Sequence, residues 1–178
     1  MLRLEFPNES HKAMWEEMIL TWKQGNYKVS KQSLWLFEFE SYEAFLEDVM
    51  LSLVWKPGLV PASCFFSIVE NRIVGHVSLR HHIEHPNLKE YGGHIGYAIV
   101  PWEQGKSYGK EQLRQVLWEA KKIWLERVII SCHEDNIASE KIILSQGGTD
   151  MTEIFLNNHP DATQEYIWKI LKRHWIEL

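Results

Sequence analysis

Apolar residues recur at helical spacing through the first part of the chain. Met14, Trp15, Met18, Ile19 and Trp22 fall at i, i+1, i+4, i+5 and i+8, which predicts an amphipathic helix over 9–24, closed by Gly25. Tyr42, Phe45, Leu46, Val49, Met50, Leu53 and Val54 keep that period behind Ser41, a capping residue, and Pro57-Gly58 stops the run. The pattern then becomes strand-like. Runs 63–69 and 73–79 flank Glu70-Asn71-Arg72, a hairpin signal, and 94–100 is a third strand rich in Ile, Val and Tyr. From Gly105 the period is helical again, with Leu113, Val116, Leu117, Ala120 and Trp124 on one face. Residues 127–131 form a short apolar strand. Residues 136–146 read as a helix capped by Asn136 and closed by Gly147-Gly148. Strands at 151–156 and 166–171 complete the order α-α-β-β-β-α-β-α-β-β. Hairpins flanking strand–helix–strand units predict a mixed α/β (α+β) fold, with helices on the faces of its sheet.

Composition narrows this picture. At 178 residues the chain has the length of one domain, and no repeat, low-complexity tract or linker divides it. Its 45% hydrophobic and 24% charged residues are ordinary globular values. A net charge of −5 argues against a general nucleic-acid binder. Two cysteines, Cys64 and Cys132, are too few for a disulfide scaffold, so reduced thiols in a cytoplasm are expected. No run has the length of a signal peptide or reaches the roughly 20 apolar residues of a membrane span, so no membrane partner is expected.

Three segments carry candidate chemistry. Gln104-Gly105-Lys106-Ser107-Tyr108-Gly109-Lys110 follows a strand and opens a helix. Such a junction aims backbone N–H groups outward at the positive end of a helix dipole, a ready anion site. Residues 104–127 hold six Lys/Arg against three Glu, a field suited to a polyanion. A nucleotide P-loop is excluded, because its first glycine would fall at Val100, inside the strand. His81-His82-Ile83-Glu84-His85 matches the H-x-x-E-H zinc pattern, but that pattern needs a helix and Pro86 follows at once. Asn136-Ile137-Ala138-Ser139 places a side-chain amide where a strand meets a helix.

In this order the strand 94–100, the 104–110 loop and helix, the strand 127–131 and the Asn136 helix resemble the acyl-CoA site of the GNAT N-acetyltransferase superfamily. The segment Gly92-Gly93-His94-Ile95-Gly96-Tyr97-Ala98-Ile99-Val100-Pro101 is similar to its predicted bacterial acetyltransferase branch. The family signature Q/R-x-x-G-x-G/A stands here as Gln104-Gly105-Lys106-Ser107-Tyr108-Gly109.

The resemblance implies a mostly antiparallel, twisted sheet of six or seven strands in one domain over 1–178. Residues 1–60 would form a helical acceptor side and 61–171 the acyl-CoA core. It implies that Ala98, Ile99 and Val100 pair with the pantetheine arm of acetyl-CoA as an added strand would. Amides from Gly105 through Lys106, Ser107, Tyr108, Gly109 and Lys110 would hold the pyrophosphate. Asn136 would meet the pantetheine near the sulfur, and Ser139 would line the channel. A homodimer is consistent with the resemblance.

This sequence departs from the family pattern twice. Ser107 replaces the middle glycine, and Ile143 stands where many members place a tyrosine acid. The implied reaction is direct attack of an amine on the thioester, with no metal. His94 is the first candidate base because its intrinsic pKa suits the task. Tyr97, His76 and Glu90 are weaker candidates. The acceptor is left open among small-molecule and protein amines. Two other readings stand beside this one: an acyl-CoA-binding module without turnover, and a zinc hydrolase using His81, Glu84 and His85.

Overall fold

The computed structural model describes residues 1–54, 58–151 and 171–178. Strand β1 (Arg3–Glu5) leads into a single turn at Glu9–His11, whose first N–H groups are capped by Asn8, and then into α1 (Lys12–Gln24). A 3-10 segment, Lys31–Phe37, precedes α2 (Tyr42–Ser52). The Ser41 hydroxyl accepts from the Ala44 N–H at 3.2 Å, the expected cap. Next come β2 (Ala62–Val69), β3 (Arg72–Arg80), β4 (Ile95–Ile99), α3 (Tyr108–Lys122), β5 (Arg127–His133), α4 (Ile137–Ser145), β6 (Thr149–Asp150) and β7 (Leu171–Glu177). Glu70 and Asn71, with φ of 49° and 59°, make the β2–β3 turn of the type in which both central residues are left-handed.

All the described strand pairs are antiparallel. They form two sheets, β1-β2-β3-β4 and β5-β7-β6. Against one face of the first sheet pack α1, α2 and the 31–37 segment around Trp15, Leu36, Phe45 and Phe66. The Trp15, Phe45 and Phe66 rings stack in succession, with centroids 5.9 and 5.5 Å apart. Against the other face lies α3, whose Leu113, Val116 and Ala120 join Val77, Leu79, Ile95, Val128, Ile130 and Ile143. Helices therefore cover both faces, as the periodicity predicts. The buried Gln112 of α3 ties three strands together by donating from Nε2 to Ser67 Oγ, to the His76 carbonyl and to the Ala98 carbonyl.

The differences from the sequence reading lie at short or weakly patterned pieces. β1 and the 31–37 segment were not predicted, because three residues carry no period and a 3-10 turn carries a different one. The predicted strands 151–156 and 166–171 lie almost wholly outside the described residues, as do residues 55–57 of the predicted loop. Among the described residues, no helix is long and apolar enough to cross a membrane.

Candidate active site

The two sheets meet along β4 and β5. Among the described residues each is the edge strand of its own sheet, and the backbone pairing between them is at the N-terminal end of β4. Gly93 forms an isolated bridge with Ile130. The His94 N–H donates to the Ile129 carbonyl at 2.7 Å, and the Ile129 N–H donates back to His94 Nδ1 at 3.0 Å. Toward Ile99 no further ladder joins the two strands among the described residues, so β4 turns an unpaired backbone edge to the cleft. This is the geometry in which an extended ligand adds as a strand.

Gly93 makes the junction sterically accessible. Its φ of 69° and ψ of −167° belong to a region essentially reserved for glycine. A Cβ there would stand 2.3 Å from the Ile129 carbonyl oxygen.

At the other end of β4 the chain passes through the turn Pro101–Glu103 into α3. Gln104 donates from Nε2 to the Ile99 carbonyl at 3.2 Å, fastening the loop to the strand. Gly105 has φ 79° and Ser107 φ 64°, so the loop makes two left-handed steps before the helix begins. The Ser107 side chain makes no cap bond, so the helix's first amides carry no side-chain partner from it. Successive left-handed and helical residues form a concavity of N–H groups suited to phosphate oxygens. At Ser107 that shape carries the strain of a left-handed non-glycine residue, about 1 kcal/mol.

The loop is braced from behind. The buried Glu103 accepts from Arg72 Nη1 at 3.0 Å and from Lys106 Nζ at 2.8 Å. Tyr108 is partly buried and Lys110 exposed. Gly109 packs closely: a Cβ there would sit 3.0 Å from Ile142 Cδ1 of α4, which would have to shift slightly, and 3.7 Å from Ile99 Cγ1. Across the cleft, Asn136 Oδ1 accepts from the Ser139 N–H at 3.1 Å and caps α4. Ser139 Oγ lies 2.9 Å from the Tyr97 hydroxyl, so this pair bridges α4 and β4. Burial pushes Tyr97 up to about 12, with Cys132 close enough to add to the effect. Ile143 is fully buried in the core behind them.

The loop and the Asn136 region, expected together from the resemblance, lie at neighbouring helix starts on either side of β4, joined through Gly109–Ile142 and Tyr97–Ser139. His94 needs a correction. Its Nδ1 lone pair accepts the Ile129 N–H, which puts the proton of the neutral ring on Nε2. In that state neither nitrogen has a lone pair to take a proton from an amine, and the residue serves the strand junction instead. The H-x-x-E-H segment is irregular rather than helical, as Pro86 led the sequence reading to expect, so His81 and His85 do not share a helical face. His81 instead faces Ser63 Oγ through Nε2 at 2.8 Å. Among the described residues, the group able to gather on a cation lies elsewhere, at Glu140, Asp150 and His174. The side chain of Glu90 lies outside the described part.

A cavity of about 630 Å³ opens on the opposite face of the first sheet, roofed by the 31–37 segment and α2. Sequence reasoning placed the acceptor side in this region but did not find its floor, which is formed by Cys64, His76, Ser78, Arg80 and Gly96 of three adjacent strands. Strand alternation was the available signal, since His76, Ser78 and Arg80 share one face of β3. His76 Nε2 lies 3.0 Å from Ser33 Oγ, and its ring meets Trp35 edge to face.

Burial lowers the His76 pKa from 6.5 to about 4. The unfolded chain binds this proton below pH 6.5, whereas the folded chain refuses it until about pH 4. Stability is therefore lost as pH is lowered from about 6.5 to about 4, by about 3 kcal/mol in all. Denaturant titrations at pH 7 and pH 4.5 should show His76→Asn losing less stability between the two pH values than the unaltered protein. Equal losses would remove His76 as a cause.

Residues 4–149 match the family model described as the acetyltransferase (GNAT) domain. A search of curated proteins finds no match. Among solved structures, the chain is similar to the RimL ribosomal L7/L12 alpha-N-protein acetyltransferase in complex with coenzyme A. That likeness has 20% identity and a TM-score of 0.64, covering 99% of this chain and 94% of that one. It is also similar to the acetyl transferase from Salmonella typhimurium that modifies the N-terminal serine of ribosomal protein L7/L12, with 19% identity, TM-score 0.61, and 99% and 95% covered. A third is the spermidine/spermine N-acetyltransferase SpeG from Vibrio cholerae, in mutant forms, with 15% identity, TM-score 0.57, and 99% and 95% covered.

Proposed function

Because the chain belongs to the GNAT acetyltransferase family, and is by that membership an acyltransferase, we propose that it transfers the acetyl group of acetyl-CoA to a primary amine by direct attack on the thioester. The observation that carries this reading is the cleft between β4 and β5, which ends on a loop with two left-handed residues at the start of α3. The residues present fit the ligand. The edge of β4 away from β3 suits the amides of a pantetheine arm, although of the expected groups the Val100 N–H already donates to the Val74 carbonyl and the Ile99 carbonyl accepts from Gln104. The N–H groups from Gly105 to Lys110 suit a pyrophosphate, with Lys106 and Lys110 adding positive charge.

In the proposed reaction the nitrogen–carbon bond forms as the carbon–sulfur bond breaks, and the amine proton leaves to water in the acceptor cavity. Proximity supplies much of the acceleration. The Tyr97–Ser139 hydroxyl pair stands where the position of Ile143 offers no hydrogen-bond donor, and it would donate to the sulfur as negative charge develops there. The amine enters from the cavity face, whose floor Gly96 and Arg80 help to line.

The test is a thermal shift with acetyl-CoA together with thiol release against a panel of amines. At 100 times its Kd a ligand adds about 2.7 kcal/mol, or roughly 5–10 °C in a chain of this size. No shift at millimolar acetyl-CoA, together with no heat of binding, would overturn the proposal. A shift without release on any amine would favour the module without turnover.

A further inference from the structure

We infer that Arg80, on the floor of the acceptor cavity, binds an anionic group of the acceptor, so that the substrate class is an amine that also carries a carboxylate or a phosphate. This rests on the acetyl-transfer reading and deepens it. Arg80 ends β3 and reaches across the start of β4, where Nη1 donates to the Gly93 carbonyl at 3.1 Å. It lies beside Gly96: a Cβ there would meet Nη2 at 3.7 Å and Nη1 at 3.9 Å, ordinary contact distances. The guanidinium therefore lies against the strand whose far edge would hold the thioester, and it lines the cavity from which an amine would arrive.

No carboxylate forms an ion pair with Arg80 among the described residues. A charged guanidinium half-buried in this way is stabilised when an anion meets it. Burial lowers its pKa, yet an arginine stays charged at neutral pH. Cys64 is its charged neighbour only when ionised, and a thiol is mostly protonated at pH 7.

The cavity also holds carboxylates, which would suit a polycationic amine. Burial and pairing decide between the two. Glu38 is exposed at the rim, Asp48 already has a partner in the chain, and His76 is uncharged at neutral pH. The guanidinium is the charge set into the floor. Its planar fork takes a carboxylate or phosphate through two parallel bonds, which would fix where the neighbouring amine points.

The experiment measures thiol release with matched acceptors: phenylalanine against phenethylamine, phosphoethanolamine against ethanolamine, and spermidine as the polycation. The acid-bearing member of at least one pair should be favoured about 10–100-fold in kcat/KM. Which pair shows the preference separates carboxylate from phosphate. Arg80→Gln should lose that preference while keeping acetyl-CoA affinity, and Arg80→Lys should keep part of it. If both variants fail to fold, the preference in the unaltered protein decides alone.

Equal or better turnover of phenethylamine, ethanolamine or spermidine would overturn the inference and leave acetyl transfer standing. Failure to bind acetyl-CoA at all would overturn the proposed function instead. Should acetyl-CoA bind without any acceptor turning over, inorganic phosphate and glycine are titrated onto the acetyl-CoA complex. A thermal shift that vanishes in Arg80→Gln supports the anion site, and no shift overturns it.

Discussion

Replacing Gly93 with alanine is expected to destabilise the protein by about 3–5 kcal/mol and to weaken acetyl-CoA binding with it. Two costs combine. The backbone at Gly93 holds φ 69° and ψ −167°, where a side chain costs about 1–3 kcal/mol. The added Cβ would also stand 2.3 Å from the Ile129 carbonyl oxygen and 2.8 Å from its carbon. Those are backbone atoms, so no side chain can rotate away, and overpacking of this kind costs a further 1–3 kcal/mol or so. Relief would separate β4 from β5 and stretch the reciprocal bonds between His94 and Ile129. Those bonds set where the cleft begins. For a chain of this length the expected fall in Tm is about 8–15 °C, measured by calorimetry. A Tm within about 2 °C of the unaltered protein would mean that the junction is looser than its geometry indicates.

Much of this architecture was legible from periodicity. The helices α1 to α4 and strands β2 to β5 lie within a few residues of their predicted spans, because each buries one face or one stripe and the period records which. The passage from β4 into α3 was legible as well: glycines at 105 and 109 between an apolar run and an amphipathic run state a strand, a turn and a helix start.

Roles that depend on partners distant in sequence were not legible. His94 has the pKa of a base and the position of one, and nothing local reveals that Ile129, 35 residues away, takes its Nδ1. Gly109 reads as an approach point for phosphate, yet its missing side chain also admits Ile142 of α4. Arg80 ends a strand in the manner of a solvated edge charge, and its bond to the Gly93 carbonyl across β4 is not visible in sequence. Ser107 is the converse case. Its deviation from glycine is visible in sequence, and the structure shows that the left-handed backbone is kept at a cost, as is common at binding loops.

Tyr97→Phe is expected to lower kcat by about 10–100-fold while leaving the Kd for acetyl-CoA nearly unchanged. The size follows from what a phenol held near pKa 12 can do. A thiol of ordinary pKa, about 8.5, is a stronger acid than this hydroxyl, so full proton transfer to the departing sulfur would run uphill by several kcal/mol. In the proposed reaction the hydroxyl would instead donate a charge-assisted hydrogen bond as the carbon–sulfur bond breaks, and such bonds contribute about 1.5–3 kcal/mol. That is less than the share of a proton-transferring acid. Ser139 orients the donor from 2.9 Å, so Ser139→Ala should cost less than Tyr97→Phe, and the double variant little more than Tyr97→Phe alone. Because the phenol titrates near 12, kcat should show no limb from Tyr97 between pH 7 and 10, in the unaltered protein or the variant. Stopped-flow single turnovers, read against acetyl-CoA affinity from calorimetry, separate the chemical step from binding. Unchanged kcat in Tyr97→Phe would return Tyr97 to a packing role, whereas a basic limb lost on substitution would show that its proton is transferred after all.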